Sequence, residues 1–260
     1  MKKFPIYQID AFTSEVFKGN PAAVVILDQW LPDETLLNIA AENNLAETAF
    51  IIKNDPVNRL RWFTPTCEIP LCGHGTLATA YVLFNELNYE GEKITFTSLS
   101  GSLSVSKQDE MFILDFPKRD YEPTTVPKAI IDTIGFTPQQ VISDHREYVL
   151  IYDDETIIER IDPDFSILKH HDAVVVTAAS KQYDFISRNF HPSAGIDEDP
   201  VTGSSHCLLA NYWSKQLGKT KLHAYQASER GGEMTCEIVG DRVKLIGNAV
   251  KFLEGFCWLE

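Results

Sequence analysis

The sequence predicts an α+β protein built as two pseudo-symmetric lobes, and three observations predict it. Strand-like runs outnumber helical ones and follow one another as meanders, unlike the strict alternation of a doubly wound sheet. Two helical runs are apolar or small almost all round, so neither has a face for water and each belongs in a core wrapped by sheet. Each of them follows a Gly-rich turn, and the segments around the turns recur at about half of the 260 residues. Arg61-Trp62-Phe63-Thr64-Pro65 ahead of Cys72-Gly73-His74-Gly75-Thr76 is matched by Arg188-Asn189-Phe190-His191-Pro192 ahead of Thr202-Gly203-Ser204-Ser205-His206. Gly101-Ser102-Leu103-Ser104-Val105 is matched in turn by Gly232-Glu233-Met234-Thr235-Cys236. A period of half a chain means two related lobes, since solenoid repeats recur every ~20–50 residues.

Taken in order, the first lobe opens with an alternating strand over 5–12, a turn at Lys18-Gly19-Asn20-Pro21 and a strand over 22–27. Pro32-Asp33-Glu34 starts an amphipathic helix with Leu36, Leu37, Ile39 and Ala40 at helical spacing, running to about Asn44. Strands follow over 47–53 and 59–64. After Gly75, Thr76–Phe84 is the first all-round apolar helix, and three short strands near 93–98, 102–107 and 111–116 close the lobe. Residues 117–146, Pro-rich and then helical over Lys128–Ile134, are the candidate boundary. The second lobe shows strands near 147–152, 172–178, 185–190, 221–226, 233–238 and 242–247. Its buried helix is Ser205–Leu217, with Gly218 as the stop. A last strand near 248–259 comes after the second lobe's strands are used up and is expected to return to the first. The expected division is therefore 1–117 with 248–260 for the N-terminal lobe and 118–247 for the C-terminal lobe.

Composition excludes several functions. A net charge of −14 argues against sequence-independent binding to nucleic acid or an anionic membrane, which rests on basic patches. Five cysteines without framework spacing, in a chain long enough to bury a core, point to a reducing cytoplasmic setting. Met1-Lys2-Lys3-Phe4-Pro5 leads into no apolar signal run, and no stretch approaches the ~18 apolar residues of a membrane span. Neither secretion nor membrane spanning is expected.

The chemistry gathers at the two Gly turns. The first N–H groups of a helix lack intrahelical partners and sit at the positive end of its dipole, so a carboxylate is stabilised there. Gly73 and Gly75 occupy that position in one lobe and Gly203 in the other; each also suits a merely tight turn. Neither copy is a P-loop. His74, within the first turn, is a candidate to donate to or accept from a bound substrate at neutral pH, or a histidine hydrogen-bonded to the loop backbone. Asp199 is held extended by Pro200, whereas Asp197 and Glu198 read as solvated. Ser204 follows Gly203 and is a candidate to bind substrate or to cap the helix. Glu47 is the outlier: a carboxylate among apolar neighbours in Leu45-Ala46-Glu47-Thr48-Ala49-Phe50 is costly unless partnered or protonated. Desolvation there would raise its pKa toward the range of a proton shuttle; spacing alone fits an exposed strand-edge acid equally well. Cys72 would be a thiolate candidate at a helix start, but its repeat partner is Thr202, so a two-thiol relay lacks one half. The Cys and His residues show no zinc-type spacing, and no metal is expected.

Gly19-Asn20-Pro21-Ala22-Ala23-Val24, Leu45–Phe50, Arg61–Pro65, Leu71–Thr76 and Asp197-Glu198-Asp199-Pro200-Val201-Thr202-Gly203-Ser204 together resemble the phenazine-biosynthesis PhzF-like family, from about residue 5 to the C-terminus. The resemblance implies a diaminopimelate-epimerase-like fold, each lobe a strongly bent sheet around a central helix, with the site in the cleft between lobes. It implies a homodimer without cofactor or metal, and an isomerase that moves a proton between carbons of its substrate. By motif, Glu47 resembles the catalytic acid/base, and His74, Asp199 and Ser204 resemble the residues that bind and orient substrate. In the related two-thiol racemases both Cys72 and Thr202 would be Cys. The expected function is a cofactor-independent isomerase acting on a small anionic, carboxylate-bearing metabolite through Glu47, with His74, Asp199, Ser204, Gly73 and Gly203 binding the substrate. Two rivals remain at this stage: a racemase or epimerase using Cys72, and a non-catalytic metabolite-binding dimer.

Overall fold

Alternating and continuous apolar runs become two sheet-and-helix units, which the computed structural model describes over residues 1–52 and 55–259. The first unit is Met1–Phe116 with Ile246–Glu260, the second Pro117–Leu245. In the first, β1 (Lys2–Ala11), β2 (Asn20–Leu27), helix α1 (Asp33–Asn43), β3 (Glu47–Ile52), β4 (Leu60–Phe63) and β5 (Glu68–Ile69) come in succession. Lys53, expected to end β3, lies outside the described residues. Helix α2 (Gly73–Tyr81) follows, widening into a π-helical turn over Val82–Glu86 in which the Leu87 N–H donates to Val82. The meander β6 (Lys93–Ser98), β7 (Gly101–Gln108) and β8 (Met111–Pro117) comes next. The chain's last strand, Ala249–Leu259, pairs antiparallel with β1, and the sheet order is last strand, β1, β2, β3, β4, β5.

The one parallel contact in that row, β2 against β3, requires a crossover, and α1 supplies it. Asn44 ends α1 in the left-handed conformation, its N–H donating to Ala40. Val25, Leu27 and Phe50 pack with Leu36, Ile39 and Ala40 of α1. By the period of two along a strand, Val24 and Ala49 face the other way, toward the side of the sheet that carries α2. Both faces of β2 are thus covered, which is why it reads as an unbroken apolar run. From His74 to Ala80 every residue of α2 is buried.

In the second unit β9 (Glu122–Pro123), α3 (Lys128–Ile134), β10 (Gln140–Ser143), β11 (Glu147–Tyr152), α4 (Glu155–Arg160), α5 (Phe165–Leu168), β12 (Ala173–Ala179) and β13 (Phe185–His191) lead to β14 (Ile196–Asp199). Then come α6 (Gly203–Leu217), β15 (Lys221–Gln226), β16 (Gly232–Val239) and β17 (Arg242–Gly247). The order is β17, β16, β15, β13, β12, β11, β10, β9, with β14 added against β13. Helices α4 and α5 make the crossover between the parallel strands β11 and β12. Sequence reading left 153–171 without an element because four- and six-residue helices are too short to display a period. Their signal is instead the caps, Asp154 accepting from the Thr156 N–H and Asp164 from the Ser166 N–H.

The repeat has a local meaning that is the same in each unit. Arg61 on β4 forks onto Glu68 of β5 at 2.7 and 2.6 Å and stacks over Phe63. Arg188 on β13 forks onto Glu198 of β14 at 2.7 and 2.9 Å and stacks over Phe190. Both pairs stand in the same register, Phe63 opposite Glu68 and Phe190 opposite Glu198. Glu198 is therefore clamped by an arginine rather than solvated, a correction to the sequence reading. The next pair of repeat partners trades size: Trp62 lies where a Cβ on Gly75 would come within 2.9 Å, whereas Asn189 donates to Ser205 at 2.8 Å. Gly75 is small because Trp62 is large.

Candidate active site

Three polar side chains open three buried elements of the first unit. Asn20 is the first residue of β2, Glu47 the first of β3 and His74 the second of α2. Because β2 and β3 run parallel with Ala22 opposite Glu47, their first residues lie at the same end of the sheet. Just before Asn20, Gly19 has φ +64°, and a Cβ there would sit 2.2 Å from the Ala11 carbonyl oxygen, so only glycine makes this turn.

These starts bring the side chains together. His74 Nε2 lies 2.8 Å from Glu47 Oε2, and His74 Nδ1 lies 3.0 Å from Asn20 Nδ2. The amide nitrogen can only donate, so whenever the ring is neutral Nδ1 accepts and the proton sits on Nε2, facing the carboxylate; the assignment follows from the amide's orientation. Glu47 is 7% exposed, His74 4% and Asn20 fully buried. Glu47 is thus a buried carboxylate beside an imidazole, and the exposed strand-edge alternative does not hold. Its Oε2 accepts no well-aligned hydrogen bond among the described residues, so the contact with His74 is an electrostatic pairing.

Cys72 precedes α2 and caps it, its sulfur accepting from the Gly75 N–H at 3.2 Å while its carbonyl takes the Thr76 hydroxyl. The sulfur lies 3.7 Å from Nδ1 and 3.8 Å from Nε2 of His74, so it sits beside the ring rather than in line with either nitrogen. Burial, and then the charge of Glu47, push the thiol up to about 11. At neutral pH it is protonated and unsuited to act as a base. Burial alone would pull the His74 pKa down, but Cys72 and Glu47 around the ring reverse this and hold it well above its usual value. Gly73 and His74, the first two residues of α2, have no carbonyl four residues back within the helix. The cluster therefore offers a dry carboxylate, an N–H donor beside it and helix-start amides that have no intrahelical acceptor. The donor atoms of Glu47, Cys72 and His74 lie within 4.8 Å of one another, close enough for one metal ion.

In the second unit, Asp199 ends β14 and accepts the Thr202 hydroxyl at 2.6 Å, while its carbonyl takes the Gln226 amide at 2.6 Å. The Thr202 N–H donates to Gln226 Oε1 at 2.8 Å. Thr202 is the residue before α6 but gives no side-chain cap. Ser204, half-buried, is the second residue of the helix, so its hydroxyl is no cap either; its carbonyl accepts from Arg119 at 3.1 Å. Gly203 is buried. Glu47, Gly73 and His74 thus form one group, and Asp199, Gly203 and Ser204 another within their own unit.

Two groups escaped the sequence reading. Asn20 looked like a turn residue, although a polar side chain opening a fully buried strand was the available signal. The buried chain Arg119–Glu147–Ser205–Asn189, with contacts of 2.9, 2.6 and 2.8 Å, gave none, since its members are scattered through the sequence.

The phenazine biosynthesis-like protein family (PhzC-PhzF) matches residues 9–255. The chain is 45% identical over 252 residues to an uncharacterized isomerase of Pseudomonas aeruginosa, covering 96% of this chain and 97% of that protein. It is similar to the crystal structure of a phenazine biosynthesis protein of the PhzF family from Enterococcus faecalis, at 46% identity and a TM-score of 0.95, covering 99% of this chain and 100% of the other. A probable proline racemase from Agrobacterium radiobacter shares only 10% identity but the same fold, with a TM-score of 0.63 over 99% of this chain and 93% of its own. The architecture is accordingly the diaminopimelate-epimerase-like one that the repeat and motifs led us to expect.

Proposed function

This chain belongs to the phenazine biosynthesis-like family and is an isomerase of that family, and from this premise we propose that it relocates a proton on a small carboxylate-bearing metabolite. Glu47 takes the proton from one carbon and returns it to another. His74 holds the substrate's polar edge and steadies the carboxylate between the two transfers. The N–H groups at Gly73 and His74, at the positive start of α2, attract the substrate's negative charge. Asp199, Gly203 and Ser204 complete the set of substrate-binding residues in this reading, on the strength of the repeat and the motif. No cofactor or metal takes part.

The observation that carries the proposal is the 2.8 Å approach of His74 Nε2 to the buried Oε2 of Glu47, an oxygen that accepts no well-aligned hydrogen bond among the described residues. Burying a charge is costly, and a fold that needed only packing would place an apolar side chain there. A thiol held at about 11 speaks against the racemase alternative through Cys72. The test is solvent exchange: small amino- and hydroxy-carboxylates that stabilise the protein thermally are incubated with it in D2O and read by NMR. Deuterium entering a carbon-bound position supports the enzyme. Binding without isomerisation or any exchange would leave a metabolite-binding protein instead.

The proposed setting is the cytoplasm, and among the described residues no helix is long and apolar enough to cross a membrane. A homodimer is part of the reading. The last strand lies at an edge of its sheet, with Phe252, Leu253, Phe256 and Trp258 exposed, the kind of edge that pairing protects. Light scattering that gave the 29.3 kDa monomer mass at micromolar concentrations would refute it.

A further inference from the structure

We infer that Glu47, Cys72 and His74 form a three-ligand pocket for a thiophilic divalent cation of the zinc type, and that such an ion shuts the site by occupying the carboxylate. The second half of this inference rests on the function proposed above; the first half stands on geometry.

The donor set is one carboxylate oxygen, one sulfur and one imidazole nitrogen, the chemistry that suits Zn2+ rather than Mg2+ or Ca2+. The separations are 2.8 Å from Glu47 Oε2 to His74 Nε2 and 3.8 Å from His74 Nε2 to Cys72 Sγ, with all three donors within 4.8 Å. Bonds of ~2.0–2.3 Å to a tetrahedral ion put ligand atoms somewhat under ~4 Å apart, so small side-chain rotations suffice. A second sign is Glu47 Oε2, a buried oxygen that lies 2.8 Å from His74 Nε2 but accepts no well-aligned hydrogen bond among the described residues.

A carboxylate and a thiolate together neutralise a dication in this buried place. For His74 to bind through Nε2, its proton must sit on Nδ1. A half-turn of the Asn20 amide, which presents Oδ1 to Nδ1–H, provides the outer partner that metal-bound histidines usually have. Three protein ligands leave a fourth position for water or for the carboxylate of a bound metabolite. The spacing of the Cys and His residues concealed the pocket because its third ligand, Glu47, comes from β3, away from the start of α2.

The probe is Co2+, whose bond to a thiolate gives a charge-transfer band in the near ultraviolet. Titration of the purified protein should give that band at one equivalent, and Zn2+ should abolish it by displacement. Cys72→Ser, which keeps an oxygen to cap α2, should lose the band, whereas Cys67→Ser, at the exposed cysteine, should keep it. Glu47→Gln and His74→Ala should each weaken cobalt binding by more than about tenfold while retaining the wild-type circular dichroism. A wild-type protein without the band, or a band that survives Cys72→Ser, would overturn the inference. So would unchanged affinity in Glu47→Gln. None of these readouts uses turnover, so a failure here leaves the isomerase reading untouched, and failure of that reading leaves the pocket standing.

Discussion

The Asn20 amide nitrogen stands 3.0 Å from Nδ1 of His74, and through this contact a residue at the start of β2 determines which nitrogen the imidazole turns toward Glu47. Loss of the amide should free the ring and leave Nδ1 without its donor. Asn20→Ala is expected to lower kcat by about tenfold to a hundredfold, the effect of misplacing a catalytic group by about an ångström. At a pH above the raised pKa of His74, where the ring is neutral, its nitrogen chemical shifts should change from a single tautomer to a mixture. A variant with the wild-type tautomer and wild-type kcat would remove Asn20 from the machinery.

Cys72 should be dispensable for turnover. A thiol at about 11 is ionised to only about one part in ten thousand at pH 7. Serine can replace its sulfur as the acceptor of the Gly75 N–H, so stability should change by no more than about 1 kcal/mol. The Cys72→Ser enzyme is expected to keep at least about a tenth of wild-type kcat. A loss of the ~10²–10⁴-fold that general acid/base catalysis supplies would move the mechanism to the racemase alternative.

These two residues also mark how far the sequence could be read. Helices α2 and α6 were legible because an all-round apolar run has only one place to go, and their Gly turns because the pattern recurs. Glu47 stood out for the same reason, a charge amid apolar neighbours. What could not be read was partnership. Arg188 and Glu198 sit ten positions apart, and only the antiparallel pairing of β13 with β14 makes them a clamp. Asn20 and His74 meet because a parallel sheet and a helix start at one end. Gly75 was read as permitting a turn, but its neighbour Trp62 gives the stronger reason, since there is no room for a Cβ. Where a feature rested on one segment it could be read from the sequence; where it rested on register, the fold had to supply it.

His206 should make the protein acid-sensitive. It lies on α6, fully buried, with Nδ1 2.8 Å from the Thr202 carbonyl and Nε2 without a hydrogen-bond partner among the described residues. Burial pulls its pKa down to about 4, against 6.5 for the free side chain. The native state thus binds fewer protons than the unfolded chain between those values. The associated stability is complete above about pH 6.5 and is lost as pH falls toward 4, by on the order of 3 kcal/mol. Urea unfolding at pH 7 and pH 4.5 measures the difference. His206→Asn should be less stable at pH 7 but should flatten the acid-side slope by about one proton. An unchanged slope would mean that His206 does not titrate in the folded protein as its burial requires.

Glu47 should carry the proton. Among the described residues it is the carboxylate that pairs with His74, which is itself the second residue of α2. Glu47→Gln preserves size and packing but removes the group that titrates. It also takes away the negative charge that helps lift the pKa of His74, which should fall toward or below its ordinary value. Because size, packing and the helix-start amides are kept, substrate binding should survive, seen as a retained thermal shift, while kcat falls by ~10²–10⁴. Deuterium incorporation should fall in parallel, because the same carboxyl group delivers the solvent-derived proton. Glu47→Asp separates chemistry from mere charge: it keeps the carboxylate but withdraws it by one methylene, so activity should be partly retained and KM little altered. If Glu47→Gln turns over at near the wild-type rate, the proton travels by another group, and His74 is the next residue to replace.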